Sequence, residues 1–208
     1  MNFIGNRNFR AGPQTSLEGF ICHQNSDKPQ KIKVFGRSEG GKSSLLHFIK
    51  RFIKHPSYRA LLMLRLYQGS NSRFFRFVYK FYSNHIANKY GCELPVNTTV
   101  KGALWFPHSG QFIVNSNTIL GKNVCIHPWV LIGGMRGKGA PTIGNNVFIG
   151  NGAKIIGNVK IGDNVFIAPN TVVTKDVESG ATIGGIPAKI LNHDGKKNVD
   201  LYINPDIE

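Results

Sequence analysis

The sequence predicts a mainly β protein, a coil of short strands stacked three to a turn, preceded by a small α-helical region. Isoleucine or valine recurs at every sixth position through Ile143, Ile149, Ile155, Ile161, Ile167 and Val173. A small or β-branched series sits four residues further on in each unit, at Val147, Ala153, Val159, Val165, Thr171 and Val177. Neither the 3.6-residue period of a helix nor the two-residue period of a strand gives this beat, whereas a coil with six residues on each of three sides does. The beat reaches back through Leu94, Val100, Phe106, Val114, Leu120, Ile126 and Ile132, with two skips. Phe106 to Val114 is eight residues and Ile132 to Ile143 is eleven, so about two extra residues bulge out after Phe106 and about five after Ile132. Such interruptions become surface loops, which often carry the binding face. The first holds His108 and the second runs from Arg136 to Ala140.

Of the 208 residues, 41% are hydrophobic, enough for a packed core. No run approaches the roughly 20 apolar residues of a membrane-spanning helix. The opening MNFIGNRNFRAG lacks the apolar centre of a secretory signal, and the chain reads as cytoplasmic. Cys22, Cys92 and Cys125 have no ligand spacing, so buried reduced thiols are expected, with neither a disulfide framework nor a metal site. The formal charge is +15, from 26 basic and 11 acidic residues. From Gly40 to Cys92 there is no Asp or Glu, while Lys42, Lys50, Arg51, Lys54, Arg59, Arg65, Arg73, Arg76, Lys80 and Lys89 fall there. Such a field attracts an anionic partner, a membrane surface or an acidic substrate. No nucleic-acid-binding module is recognisable, and nucleic acid is not expected.

In chain order, residues 1–43 are rich in Gly, Asn, Gln, Ser and Lys and read as irregular or weakly ordered. Within them Gly36 to Ser43 fits the phosphate-loop spacing G-x-x-x-x-G-K-S. In such a loop Lys42 would reach the terminal phosphates of a nucleotide and Ser43 would hold magnesium. That reading needs a downstream Asp and a parallel sheet of several strands. The next acid after Glu39 is Glu93, and chance in a Gly/Ser/Lys-rich stretch is the preferred account. Residues 44–90 read as basic and helical: Leu45, Ile49, Phe52 and Ile53 keep a helical rhythm, Pro56 interrupts it, and 58–68 and 73–89 follow, parted by Gly69 to Ser72. The interleaved aromatics and cations of RFFRFVYKFY suit packing on a neighbouring subunit or peripheral contact with the inner membrane, and the two are compatible. The ladder occupies 91–191. A polar tail, 192–208, is expected on the surface or without order.

With Ile143-Gly-Asn-Asn-Val147, Ile149-Gly-Asn-Gly-Ala153, Ile161-Gly-Asp-Asn-Val165 and the closing Gly184-Gly-Ile-Pro-Ala-Lys189 in view, residues 91–191 resemble the hexapeptide-repeat acyltransferases, and within them the branch around serine O-acetyltransferase. The resemblance implies a left-handed parallel β-helix, a homotrimer with active sites between neighbouring subunits, and acetyl-CoA as acetyl donor lying between coils, with no metal. A hydroxyl attacks a thioester only if a base takes its proton, and His is suited to this near neutrality. Serine acetyltransferases carry G-[ILV]-D-[ILV]-H-P and then D-H-A-T-G. The stretch from Gly91-Cys-Glu93 to Pro107-His108-Ser109 aligns with these without a gap, which puts His108 at the base position and Glu93 at that of its orienting carboxylate.

The departures bear on the acceptor. The family's Asp that binds the amino group of serine is replaced by Pro107, and the G-D-R-H-P loop that holds the serine carboxylate is replaced by Met135 to Pro141. Unpaired charges are costly in a closed site, so serine is the alternative acceptor. The shorter G-K-G-x-P-x-I-G loop resembles the branch that acetylates capsular and other surface polysaccharides, so the expected acceptor is a sugar hydroxyl, anionic glycans suiting the basic preface. His127, Trp129, Arg136 and Lys138 are candidate acceptor-binding residues; Gly133, Gly134, Gly150, Ala168 and Lys189 are candidates for the cofactor, with help from Lys154 or Lys175.

Overall fold

The structure, a computed structural model, describes residues 52–108 and 110–203. The Gly36–Ser43 motif, Cys22 and residues 1–51 as a whole lie outside the described residues. After a helical stretch at 52–54 come α1 (Pro56–Gly69) and α2 (Arg73–Tyr90), close to the bounds the sequence predicts. Pro56 opens α1, where a missing N–H is no loss. Gly91 ends α2 in the left-handed region, φ 66°, and its N–H donates to the carbonyl of Ala87.

From Cys92 the chain winds into the parallel β-helix that the six-residue beat predicts. One face stacks β1 (Cys92–Glu93), β4 (Phe112–Val114), β7 (Leu131–Gly133), β10 (Lys154–Ile156) and β13 (Val172–Val173). A second stacks β2 (Thr99–Val100), β5 (Ile119–Leu120), β8 (Thr142–Ile143) and β11 (Lys160–Ile161). The third stacks β3 (Leu104–Trp105), β6 (Val124–Ile126), β9 (Val147–Ile149), β12 (Phe166–Ile167) and β14 (Thr182–Gly184), with β15 (Lys189–Asn192) antiparallel at its end.

Register measures the interruptions. An uninterrupted coil returns after 18 residues, as in Thr142 to Lys160 and Phe148 to Phe166. The first coil takes 20, Cys92 to Phe112, and the coil with the second loop takes 23, Leu131 to Lys154. The excesses of two and five match the skips in the ladder. The last coil takes 16, Phe166 to Thr182, a shortening the beat does not announce. It sets Val177 beside Ile161.

Every ladder residue from Leu94 to Val173 is buried, and Ala60, Leu61, Leu64 and Ile86 of the helices join the same core. The helices close the first coil. Arg65, buried, donates from Nη1 and Nη2 to the carbonyls of Val100 and Gly102, and Gln68 donates to that of Thr98. These edge carbonyls have no coil below them to pair with. Cys92 and Cys125 are free and buried, and burial raises both thiols, Cys92 to about 11. The tail departs from expectation. Residues Gly195–Ile203 form helix α3, whose buried Val199 packs with Cys125 and Phe148 on the outside of the third face.

Removing the Arg65 guanidinium leaves buried carbonyls without donors. Arg65→Met should lower stability by about 2 kcal/mol, read as a lower urea midpoint at unchanged slope; an unchanged midpoint would refute the capping role.

Candidate active site

The two-residue excess of the first coil falls at the corner between β3 and β4. Phe106 enters the core and stacks on Phe112, ring centroids 4.7 Å apart. Between them the chain turns outward and leaves His108 exposed. One coil on, the corner between β6 and β7 carries His127, Pro128 and Trp129. The two corners touch: a Cβ on Gly110 would lie 2.5 Å from Cβ of Pro128. The imidazoles of His108 and His127 meet edge to face at 5.7 Å. His127 rests on Phe148 at 4.8 Å, and Phe148 stacks on Phe166 at 4.5 Å. Burial, and then the neighbouring His108, lower the pKa of His127, so it is neutral around pH 7.

Small residues continue upward from His127. The N–H of His127 donates to the carbonyl of Ile149, that of Gly150 to Ile167, and that of Ala168 to Ile183. His127, Gly150, Ala168 and Gly184 therefore form one column, and Lys189, exposed, pairs with Gly184 at its top. Three coil spacings make the column about 14 Å long. Above His127 the column itself carries only Gly and Ala, with the Leu191 side chain lying against Gly184 and a lysine at the far end. The residues thus fit a CoA thioester placed with its reactive end at His127 and His108.

Other predicted site residues lie elsewhere. Gly133 and Gly134 are at the opposite end of β7, where the five-residue excess forms a hairpin: Met135 and Gly139 bridge antiparallel, with Gly137 at φ 75°. A Cβ on Gly134 would meet the carbonyl of Gly139 at 2.9 Å, so hairpin closure accounts for this glycine. Arg136 and Lys138 are exposed on the hairpin. In one chain the width of the first face separates them from His108. Glu93 is exposed on β1, opposite Ile113 in the ladder, and no hydrogen bond or ion pair joins it to His108. Lys154 donates to the carbonyls of Trp129 and Gly152 and so holds the corner. Among the described residues no three His, Cys, Asp or Glu side chains gather so as to hold a metal ion.

Two features escaped the sequence reading. The outward residues Phe148 and Phe166, with Tyr202 of α3 at 4.8 Å from Phe148, back His127 with an aromatic stack. Large apolar side chains one coil apart at outward positions were the available signal. The other is the backbone of Trp129, at φ 63° in a residue that is 59% exposed. Among the described residues the other non-glycine positions with positive φ are Asn123, Asn146, Asn164 and Asn170; asparagine tolerates this conformation and a bulky residue does not.

A family model described as bacterial transferase hexapeptide (six repeats) matches residues 140–175. The serine acetyltransferase of Helicobacter pylori (strain J99) is 33% identical over 143 residues, 67% of this chain and 84% of that protein. The chain belongs to the hexapeptide-repeat acyltransferases, on their serine acetyltransferase-like branch. Relatives in this family from Staphylococcus aureus match at 39% over 108 residues, and the chain spans about half of their length. The structure of Neisseria gonorrhoeae serine acetyltransferase in complex with serine matches with a TM-score of 0.57 and 27% identity, covering 68% of this chain and 59% of that one. A serine acetyltransferase in complex with CoA matches with a TM-score of 0.57 and 25% identity, covering 65% and 57%. None of these family matches supports the polysaccharide acceptor expected from the sequence.

Two outcomes follow from the corner. Trp129→Asn should relieve backbone strain and raise stability by about 1 kcal/mol; loss of stability would show that the indole is a structural prop. Because the folded-state pKa of His127 lies below its unfolded value, the unfolded chain binds the extra proton first, and stability falls as pH drops below about 6.5. His127→Gln should flatten that fall in urea unfolding between pH 7 and 5 relative to the parent; an identical pH profile would deny the burial of a neutral imidazole.

Proposed function

We propose that this chain is an acetyl-CoA-dependent O-acetyltransferase in which His108 is the general base. The observation that carries the proposal is the placement of His108 at the foot of the small-residue column, exposed at the corner where the coil first bulges. The donor supplies an acetyl group activated as a thioester. The chain supplies the proton acceptor: a nitrogen of His108 takes the hydroxyl proton as oxygen attacks, and returns it to the departing sulfur. His127, neutral, leaves His108 free to take up a positive charge without a second one beside it.

The acceptor reading with the stronger support is a small hydroxy amino acid, serine, because the matched relatives are serine acetyltransferases. A zwitterion needs both charges met. Between Glu39 and Asp163 the sequence has a single acidic residue, Glu93, and Asp163 is taken up by Asn145. For serine, then, Glu93 holds the ammonium group in place of the carboxylate absent at Pro107, and Arg136 or Lys138 meets the carboxylate. The second reading, a sugar hydroxyl of a capsular or other surface polysaccharide or its precursor, rests on Pro107 and the short hairpin, neither of which offers the family's paired groups.

Either acceptor needs a neighbouring copy. His108 and the hairpin stand at opposite ends of the first face, about 10 Å of strand apart. A closed ring of three copies, each presenting its hairpin to the His108 corner of the next, unites them.

Acetyl transfer from acetyl-CoA to serine, nucleotide sugars and oligosaccharides, followed by thiol release, tests the proposal. His108→Ala should lower kcat by about 10²- to 10⁴-fold with CoA still bound, and near-parental turnover would remove the base. If serine is the acceptor, Glu93→Gln should raise its KM by at least about tenfold. Transfer to a sugar that is indifferent to Glu93→Gln would decide for the second reading.

A further inference from the structure

Helix α2 turns an apolar stripe to the outside. Phe74, Phe77, Val78 and Phe81 stand at i, i+3, i+4 and i+7 and are 69%, 68%, 40% and 68% exposed. Ser83 and Ile86, which are buried, and Tyr79 and Tyr82, which pack against the core, occupy the other side of the helix. The packing of α2 on the protein is therefore complete without the stripe. Along one edge of it Arg73, Arg76 and Lys80 repeat at i, i+3 and i+7, all exposed. Arg76 is fixed there: its guanidinium lies 4.4 Å from the centre of the Tyr67 ring and donates to the Tyr67 hydroxyl at 3.0 Å.

We propose that this face docks on a bilayer surface carrying anionic lipid, the phenyl rings entering the acyl boundary and Arg73, Arg76 and Lys80 lying at the level of the headgroups. A helix that lies in the interface shows this division of a wide apolar face and a cationic edge. Charge selects the occupant. No Asp or Glu occurs from Gly40 to Cys92, so the same face of a second copy would bring cations against cations. The preceding segment 44–54, with His47, Lys50, Arg51 and Lys54, would do the same. An anionic surface supplies the complement, and each basic residue near it adds attraction that salt screens. The docking is peripheral, since no described helix is long and apolar enough to cross a membrane. It does not depend on which hydroxyl is acetylated.

The test is flotation of the full chain with vesicles of phosphatidylcholine alone or with about one third phosphatidylglycerol, at low and high ionic strength. Partition onto the anionic vesicles should be at least about tenfold stronger than onto the neutral ones, and should fall with salt. Phe77→Ser/Phe81→Ser and Arg73→Glu/Lys80→Glu should each weaken it by about tenfold or more, with melting temperature unchanged because these side chains face solvent. Equal binding to both vesicles, no binding, or full binding by both variants overturns the proposal. So does a parent chain that ignores vesicles while Phe77→Ser/Phe81→Ser loses subunits in sedimentation velocity, which would assign the face to a second copy.

Discussion

Each coil is hydrogen-bonded to the next in parallel register, and the rest of the structure depends on that ladder. A strand in such a stack cannot absorb one extra residue without turning its interior side chains outward, so insertions are driven to the corners. All three faces then shift together: the first coil takes 20 residues on each of them and the coil with the hairpin takes 23. Columns above and below an insertion stay aligned. That is why His127, Gly150, Ala168 and Gly184 stand in line although their spacing along the chain is 23, 18 and 16 residues. At the turns the same alignment chains asparagine side chains, Asn123 to Asn146 at 3.0 Å and Asn146 to Asn164 at 3.2 Å.

A stack of coils leaves edges and outer faces to be dealt with. The open first coil would expose carbonyls to nothing but solvent or a second chain, and α1 meets them with Arg65 and Gln68 while Leu61 and Leu64 cover the interior. The outer side of the third face is apolar, with Trp105, Cys125, Phe148 and Phe166 in successive coils, and α3 covers it through Val199 and Ile203. Tyr202 of the same helix packs on Phe148, the ring on which His127 leans. The C-terminal helix reaches His127 through this packing alone.

Most of this frame was legible because interior positions of a solenoid repeat in one dimension. The beat from Leu94 to Val173 located the buried rows, and its two skips gave the size and place of the bulges at His108 and the hairpin. What the beat could not carry is the outward half of each coil. Phe148 and Phe166 obey no interior rule, and their burial depends on α3, whose own short polar sequence announces no partner. Likewise the glycines were ambiguous. Gly150 and Gly134 look alike in sequence, yet one belongs to the column above His127 and the other closes a hairpin at the opposite corner, a difference set by which face precedes each. The shortened last coil was hidden because Val177 fits the beat in either frame.

The corner at His108 and His127 is where the chain stops following its own rules. At the equivalent turn of later coils the left-handed position is held by Gly152 and Asn170, residues suited to it; here it is Trp129. A lysine ammonium, Lys154, is bent back onto the carbonyl of Trp129 and that of Gly152 in the next coil. An imidazole is half-buried where a coil otherwise places Gly or Ala. The positive φ of a tryptophan and the half-buried imidazole work against local preference, while Lys154 ties this corner to the next coil. A fold this repetitive makes such exceptions measurable, because every coil serves as the control for the next. Their concentration within one corner, beside an exposed histidine and below a column of small residues, is the physical reason for proposing the chemistry there.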